Sequence, residues 1–462
     1  MNTLPSLRRY AGKVPRTLPS HHSIISGPCS VGTLPLPAPP AVCQRPAWTA
    51  MAPLPHPHRL LPLLLFLPFI LVRRGARPPD AATGLHPVVL LPGNKCSQLE
   101  ARLTDAYEPP SPQCKGPVGR WFRLWKNATA QRDPAAAPCL ADQLRLVYDP
   151  ALRDFRNVAG VETRVLRFGS TRGFLADDPA DKDLCMGTLV EALEQAGYRD
   201  GETLFGAPYD FRQAPAAPGQ PCRAFAQFRR RLRALVEHAS ARNGGKPVVL
   251  VSHSQGGYMA LEFLNRSPLP WRARHVKRYV MASTGAGGFM LSMQGLAARP
   301  DAALGSANAF TALPSPKVFG RGTPLVVTRA RNYSARDIPE FLAAAGLPPL
   351  AVTLYETRAL PVAMDFRAPL VPTTCVNGLG VATPERLVYW DGDFSEEPEI
   401  VYGDGDGLIR IDSILALDTL IGEDPGQGYY KSVKLANTSH AGVISDRIAL
   451  QRVVTEILRQ DV

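Results

Sequence analysis

The pattern of apolar and polar residues predicts alternating strands and helices through most of the chain. Continuous apolar runs at 86–91 and 247–251 are typical of strands that are buried on both faces of a parallel sheet. Apolar residues recur at helical spacing in 186–198 and 222–239, which predicts two amphipathic helices. Further strand candidates lie at 276–281, 324–329, 399–402 and 432–436. This alternation predicts an α/β fold.

Two polar or irregular stretches interrupt the alternation. Residues 104–139 are polar and proline-rich, and Cys114 and Cys139 bracket them. We expect a second insertion, at about 285–370, to form a cap together with connecting strands.

The beginning of the chain differs from the rest in composition. Residues 1–50 are rich in Pro, Ser and Arg and show no hydrophobic period, which predicts disorder. Translation that starts at Met51 would make these residues a gene-model extension. An organelle transit sequence is the alternative, because the stretch is basic and free of acidic residues.

A short apolar segment follows this extension. Its thirteen residues, 60–72, are fewer than the roughly 20 that a membrane span needs. They suit the hydrophobic region of a signal peptide, although the two arginines directly after them would also suit an uncleaved anchor. We therefore expect a signal peptide or signal anchor at 51–82 and one large folded domain at 83–462. Entry into the secretory pathway would lead to secretion, to a vacuole or lysosome, or to the ER lumen.

The net charge of +12 is concentrated at the beginning of the chain. The first 80 residues contain nine Lys or Arg and one acidic residue, so the remaining 382 residues carry only +4. No basic stripe interleaved with aromatic residues occurs there, which argues against nucleic acid as a partner.

The cysteines show no metal-binding pattern. No CxxC or Cys/His spacing occurs, so we expect no metal. In an oxidising compartment some cysteines would pair. Outside the leader they are Cys96, Cys114, Cys139, Cys185, Cys222 and Cys375. Glycosylation triplets, which are compatible with secretion, begin at Asn127, Asn265, Asn332 and Asn437.

The strongest chemical signal is Ser254, which lies between an apolar strand and a helix. A tight turn in this context exposes the serine hydroxyl and requires small residues two positions before and after it. Gly256 meets this requirement, and Ser252 replaces the usual glycine with another small residue. The helix that follows directs backbone N–H groups toward developing negative charge. The turn therefore predicts a nucleophilic serine.

A nucleophilic serine needs a base and an acid that orients the base. Only two histidines follow Ser254, and His275 precedes any plausible acid. His440 lies in a polar loop after a late strand, as expected of the base. The acid is Asp404 or Asp406, which alternate with glycines after the strand at 399–402. A calcium loop is less consistent with this segment, because the closing Glu is missing.

An oxyanion hole needs two backbone N–H donors. The residue after the nucleophile, Gln255, supplies one in this fold. The loop after the first strand, which contains Pro92 and Gly93, supplies the other, and we expect the donor to be Asn94.

These motifs together resemble the lecithin–cholesterol acyltransferase family, which includes lysosomal phospholipase A and plant acyltransferase-like proteins. The resemblance covers about 85–455 and is greatest to the plant members. Besides the turn at Ser254, the segments that carry it are 89–93, 98–101, 144–148, 206–212, 332–337 and 403–407.

The resemblance implies an α/β-hydrolase fold with a cap and a small lid that binds membranes. Among the open choices, it assigns the acid to Asp406, the base to His440 and the early oxyanion donor to Asn94. It also implies that Cys114 pairs with Cys139 to close the lid and that Trp125 is an active-site tryptophan.

The activity implied by the resemblance is lipid O-acyl transfer or phospholipase A cleavage of glycerophospholipids through Ser254, without a cofactor. The expected partners are a phospholipid substrate, a lipid surface and a sterol or other alcohol as acceptor. The alternatives are a phospholipase without transferase activity and a non-catalytic lipid-binding protein.

Several positions depart from the family pattern. Asn94 replaces an Asp or Cys, which is harmless if the backbone acts. Phe211 replaces a common Trp, and the loop at 285–288 is altered. Cys375 matches half of a family disulfide whose other half is missing from 411–420, so we expect it to be free or paired elsewhere.

Overall fold

A computed structural model describes residues 84–175 and 181–461. The extension predicted at 1–50 and the signal segment predicted at 51–82 lie outside these residues. The strands are β1 (Val88–Leu91), β2 (Leu99–Leu103), β3 (Trp121–Trp125), β4 (Leu146–Asp149), β5 (Asp154–Asn157), β6 (Val161–Val165), β7 (Leu204–Gly206), β8 (Val248–His253), β9 (Val276–Ala282), β10 (Val326–Val327), β11 (Asn332–Tyr333), β12 (Thr373–Leu379), β13 (Thr383–Val388), β14 (Glu399–Gly403) and β15 (Tyr430–Ala436).

Helices alternate with these strands, as the apolar pattern predicts. The α-helices are α1 (Ala128–Arg132), α2 (Ala137–Leu144), α3 (Gly187–Gln195), α4 (Arg223–Arg242), α5 (Gln255–Asn265), α6 (Leu269–His275), α7 (Met290–Ala297), α8 (Ala307–Thr311), α9 (Ile338–Ala344), α10 (Pro349–Leu354), α11 (Leu360–Met364), α12 (Ile411–Leu417) and α13 (Arg447–Leu458). The predicted helices at 186–198 and 222–239 correspond to α3 and α4.

A six-stranded parallel sheet forms the centre of the fold, in the order β15-β12-β9-β8-β1-β7. Alternate residues of β8 enter two different cores. Leu250 packs with α4 and α5 on one face, and Val251 packs with α3 and α13 on the other. Burial on both faces explains why β8 is a continuous apolar run. The predicted α/β-hydrolase fold is confirmed.

A second sheet, in the order β11-β10-β13-β14, lies in the region for which we expected a cap. It has a hydrophobic core of its own, with members from Met290 to Phe394. We call this part the cap. The strand predicted at 399–402 belongs to this sheet, where β14 pairs antiparallel with β13. The loop that contains Asp404 and Asp406 thus leaves the cap rather than the central sheet.

A third sheet, in the order β3-β2-β6, holds the polar insertion at 104–139. We call this insertion the lid segment. Leu103, Leu124 and Val161 lie in a small core under this sheet. Cys114 is bonded to Cys139 within the lid segment, which is the pairing that the resemblance implies.

A second disulfide, which we did not predict, joins Cys96 to Cys185. It ties the loop after β1 to the segment that precedes α3. The thiols of Cys222 and Cys375 are free. Burial raises the pKa of the Cys375 thiol to about 12, so this thiol stays protonated at neutral pH.

Candidate active site

Ser254 lies in the tight turn between β8 and α5, with φ of 55°. A Cβ atom at Gly256 would lie 2.5 Å from the carbonyl oxygen of Leu91, so this position has no room for a side chain. Ser252, which replaces the usual glycine, is buried and its hydroxyl lies 2.7 Å from the Tyr279 hydroxyl. The turn therefore tolerates a serine there because its hydroxyl has a hydrogen-bond partner.

The structure brings Ser254, His440 and Asp406 into one hydrogen-bonded chain. The Ser254 Oγ lies 2.9 Å from His440 Nε2, and His440 Nδ1 lies 2.8 Å from Asp406 Oδ2. The exposed fractions are 8% for Ser254, 8% for His440 and 0% for Asp406. Because Asp406 accepts at Nδ1, the neutral imidazole carries its proton there and presents Nε2 to the serine as an acceptor.

The two aspartates that the sequence left open have different partners. The Asp406 carboxylate accepts hydrogen bonds from the backbone N–H groups of Leu408 at 3.0 Å and Ile409 at 2.7 Å. Asp404 instead accepts from the Gly380 N–H at 2.7 Å. The Asp406 backbone carbonyl also accepts from the His440 N–H at 2.7 Å, so the loop from the cap reaches His440 with both main chain and side chain.

The His440 carbonyl has two further contacts that we did not predict. It accepts from the Ser283 hydroxyl at 2.7 Å and lies 3.2 Å from His253 Nε2. Burial and the neighbouring His440 lower the pKa of His253 to about 3, so His253 is neutral and its Nε2–H is the donor. The sequence could have indicated a role for His253, because this residue directly precedes the nucleophile. Ser283 follows β9, and nothing in its sequence context indicates a contact with His440.

The predicted oxyanion donors both border the space in front of Ser254. Gln255 begins α5, so its N–H has no acceptor within the helix. Asn94 lies in a turn after β1. This turn belongs to the segment 92–97, which we call the oxyanion loop. The Tyr209 hydroxyl donates to the Pro92 carbonyl at 2.9 Å and thereby fixes the start of the loop.

A cavity of about 480 Å³ extends from Ser254 along α5. Its helix wall runs from Gln255 to Asn265, and the ten residue-to-residue steps between them span about 15 Å at 1.5 Å each. Glu262 lines the wall near the end of α5 and pairs with Arg266 at 3.0 Å, and burial raises its pKa. Apolar side chains of the cap line the opposite wall, among them Phe289, Leu313, Val362 and Phe366. The cavity therefore fits an apolar chain attached to a group at Ser254.

Trp125 lies behind the oxyanion loop. Trp125 is not one of the described residues that line the cavity. The indole N–H of Trp125 donates to the Lys95 carbonyl at 2.7 Å, and its ring lies 5.3 Å from that of Phe211. Its contact with the site thus passes through the backbone of the loop.

The described residues contain neither a group of side chains that could hold a metal ion nor a helix that could cross a membrane. Across residues 84–175 and 181–461, no three His, Cys, Asp or Glu side chains are grouped as a metal site would require. No helix in the same residues has the length and apolar character to cross a membrane.

The sheet order and the turn at Ser254 define the class of the protein, an α/β-hydrolase. The family model "Lecithin:cholesterol acyltransferase" matches residues 121–300. Lecithin-cholesterol acyltransferase-like 1 of Oryza sativa subsp. japonica is 45% identical, over 86% of this chain and 90% of the relative. The protein of the same name from Arabidopsis thaliana is 40% identical, over 81% and 90%.

Lysosomal phospholipase A and acyltransferase of Canis lupus familiaris is 32% identical, over 78% of this chain and 88% of the relative. The solved structure of the Tle4-Tli4 complex includes a chain with a TM-score of 0.46 and 14% identity, over 81% of this chain and 99% of that one. From its curated relatives, the chain belongs to the lecithin–cholesterol acyltransferase family. It is an enzyme of the lipid acyltransferase and phospholipase type.

Proposed function

We propose that the chain is a serine-dependent lipid O-acyltransferase and phospholipase A, which acts on glycerophospholipids through an acyl-enzyme on Ser254. One observation carries the proposal. Ser254 Oγ lies 2.9 Å from His440 Nε2 and lines an apolar cavity that extends along α5. A nucleophile, its base and a site for an acyl chain are thus adjacent.

Acylation begins when His440 Nε2 takes the proton of Ser254 and the Oγ attacks the ester carbonyl carbon. The oxyanion of the tetrahedral intermediate accepts hydrogen bonds from the N–H groups of Asn94 and Gln255. His440 then returns the proton to the leaving glycerol oxygen, and Asp406 stabilises the imidazolium between these two steps.

Deacylation repeats the sequence with a different nucleophile. His440 deprotonates water or an alcohol, whose oxygen attacks the acyl-enzyme, and the proton returns to Ser254 Oγ. Water gives a fatty acid, and a sterol or long-chain alcohol gives a new ester. The relative from Canis lupus familiaris carries both activities in its name, which supports the proposal that this chain also catalyses both.

Exposed apolar side chains support access from a lipid surface. Leu291 and Leu408 line the cavity and are 36% and 38% exposed. Met364, next to the cavity-lining Ala363, is 43% exposed. Apolar side chains at the border of a cavity are typical of a surface that contacts a membrane.

We place the enzyme in the secretory pathway, with 51–82 as its signal peptide or anchor. The disulfides Cys96–Cys185 and Cys114–Cys139 support an oxidising compartment. Asn332 and Asn437 are exposed, as glycosylation would require. The word "lysosomal" in the name of one relative agrees with delivery by this route.

Product analysis on vesicles of mixed phospholipids that contain a sterol or a long-chain alcohol tests the function. The variants are Ser254→Ala and a matched control, Ser395→Ala, in an exposed loop of the cap. We expect wild type and S395A to release fatty acid or acylated alcohol, and S254A to release neither. Product from all three would exclude the serine mechanism. No product from any of them, with vesicle binding retained, would favour a non-catalytic lipid-binding protein.

A further inference from the structure

We propose that Trp125 is a positioning residue that sets the oxyanion loop and thereby couples the lid segment to transition-state stabilisation. The inference rests on the proposed function of Asn94 as an oxyanion donor. It assigns to Trp125 an action through the backbone of the loop, in place of direct contact with substrate.

Trp125 contacts the oxyanion loop at Lys95, the residue of the loop that has an unfavourable backbone conformation. Its indole N–H donates to the Lys95 carbonyl at 2.7 Å. Lys95 has φ of 61°, a left-handed conformation that side-chain-bearing residues rarely adopt. Because Lys95 directly follows Asn94, a rotation at Lys95 would shift the Asn94 N–H relative to Ser254. A hydrogen bond to the Lys95 carbonyl opposes that rotation.

The other ties of the oxyanion loop come from the core of the hydrolase. Tyr209 binds the Pro92 carbonyl with its hydroxyl, and its own N–H donates to the Ser97 hydroxyl at 3.0 Å. The disulfide to Cys185 holds Cys96. These three ties fix both ends of the loop. The tie at its middle comes from β3, which belongs to the lid segment.

A β-bulge in β3 directs Trp125 toward the loop. Trp125 pairs with Leu99 and Arg123 pairs with Glu100, which leaves Leu124 as an extra residue. Side chains alternate along a strand, so without the bulge Leu124 and Trp125 would point to opposite faces. Leu124 is buried under the sheet, and Trp125 packs against the central core. The bulge thus turns both side chains inward.

The end of β3 is also anchored beyond Trp125. The Lys126 ammonium, which is nearly buried, pairs with Asp181 at 2.6 Å. The indole ring itself rests against Phe211, in a segment that follows β7. These contacts hold Trp125 in one orientation in this structure. A displacement of the lid segment by a lipid surface would reach the oxyanion loop through the indole hydrogen bond.

The test is Trp125→Phe, which keeps an aromatic ring and removes the N–H. The matched control is Trp121→Phe in the same strand, whose ring contacts Arg102 and Arg164. The readouts are kcat and KM on soluble p-nitrophenyl butyrate, affinity for an alkyl boronic acid that forms a tetrahedral adduct with serine, and vesicle binding.

We expect W125F to lower kcat roughly 10- to 100-fold with little change in KM, because loss of a whole oxyanion donor costs about 100- to 1000-fold. Boronic acid affinity should fall with kcat, vesicle binding should be retained, and W121F should stay within about twofold of wild type.

Two results would overturn the inference alone: an unchanged kcat in W125F, or a raised KM with kcat retained, which would indicate direct substrate contact. A wild type without Ser254-dependent turnover would overturn the proposed function and this inference with it. Should W125F fail to fold, Phe211→Leu provides a second variant, because it loosens the ring and leaves the N–H. We expect F211L to lower kcat less than W125F, and an unchanged kcat in F211L would count against the inference.

Discussion

The two halves of the candidate site are held in different ways, although Ser254 and Asn94 follow the neighbouring parallel strands β8 and β1. The half with Ser254, His440 and Asp406 is tied together through the main chain of His440, whose N–H donates to the Asp406 carbonyl at 2.7 Å and whose carbonyl accepts from the Ser283 hydroxyl at 2.7 Å. The half with Asn94 is held by side chains of distant elements, among them Tyr209 and Trp125. The first half therefore depends on how loops from the central sheet and from the cap meet at His440, and the second depends on how three other parts of the chain pack.

The comparison predicts where substitutions act. In the triad half, a change should affect the chemistry directly, because Ser254, His440 and Asp406 themselves take part in the proposed proton transfer. In the oxyanion half, a substitution should lower kcat only in part, because several separate contacts hold the oxyanion loop and each substitution removes one of them.

Asp406→Asn should give the largest loss, about 10⁴-fold in kcat with an intact fold. The amide can still accept from Leu408 and Ile409, but it can present an N–H to His440 Nδ1 and so favour the wrong imidazole tautomer. Steady-state kinetics on a soluble ester measures the effect. Asp404→Asn is the matched control, because Asp404 binds the Gly380 N–H, and it should retain most activity. A larger loss in D404N than in D406N would reverse the assignment of the acid.

The difference between the two halves also explains what the sequence could predict. The turn at Ser254 is predictable from the sequence because the serine, the strand before it and the helix after it are contiguous. His440 is predictable because only two histidines follow Ser254 in the sequence. Residue spacing alone does not decide whether Asp404 or Asp406 is the acid. Both lie in one glycine-rich loop, and the direction of each carboxylate depends on the conformation of the turn. The resemblance to a family settled that choice.

The unpredicted features all depend on residues that are far apart in the sequence. The Cys96–Cys185 disulfide spans 89 residues, and no spacing rule selects it among the possible pairs. The bond from Ser283 to the His440 carbonyl spans 157 residues. The strand candidates at 324–329 and 399–402 correspond to β10 and β14 of the cap sheet, but the separate sheet depends on pairs such as Val326 with Leu387, which the sequence pattern does not show.

Removal of the Cys96–Cys185 disulfide should weaken the oxyanion half and the fold together. The double variant Cys96→Ser, Cys185→Ser should lower the free energy of unfolding by about 2–4 kcal/mol, because the disulfide closes a long loop. It should also lower kcat, since Cys96 lies in the oxyanion loop. Chemical denaturation and ester kinetics measure the two effects.

The control for this variant is Cys114→Ser, Cys139→Ser, whose disulfide spans 25 residues. A shorter loop predicts a smaller loss of stability. Equal kcat in the Cys96/Cys185 variant and the wild type would show that Tyr209 and Trp125 suffice to hold the oxyanion loop.

Gly256→Ala tests how little room the triad half allows. The new Cβ would lie 2.5 Å from the Leu91 carbonyl oxygen and 2.6 Å from that of Pro92. We expect a loss of about 1–3 kcal/mol in unfolding free energy and of most activity, because backbone cannot move aside as a side chain does. Thermal denaturation and ester kinetics measure both.

The matched control is Gly295→Ala in α7, where the new Cβ would have no heavy atom within 4 Å apart from the neighbouring backbone of its own helix. It should stabilise the protein by about 0.4–1 kcal/mol, because alanine restricts the unfolded chain. Were G256A as stable and active as wild type, the turn at Ser254 would be more adaptable than the main-chain argument allows.

At neutral pH the ionisation of His253 has the smallest effect, because its contribution to stability changes only in acid. Its pKa is lowered from 6.5 to about 3 in the folded protein by burial and by the nearby His440. Between these two values the unfolded chain binds a proton that the folded chain does not, so acid favours unfolding. The contribution of His253 to stability is therefore complete above pH 6.5 and is lost as the pH falls toward 3.

Denaturant unfolding of wild type and His253→Gln between pH 4 and 7 isolates this contribution. Glutamine stays neutral and keeps an N–H that can reach the His440 carbonyl, so H253Q should lose stability with acid less steeply than wild type. The exposed His238, changed to Gln, is the control and should leave the slope as in wild type. Parallel slopes in all three proteins would mean that His253 accepts a proton in the folded state. The imidazole would then carry a positive charge next to His440, and the assignment of a neutral His253 as the donor to the His440 carbonyl would be wrong.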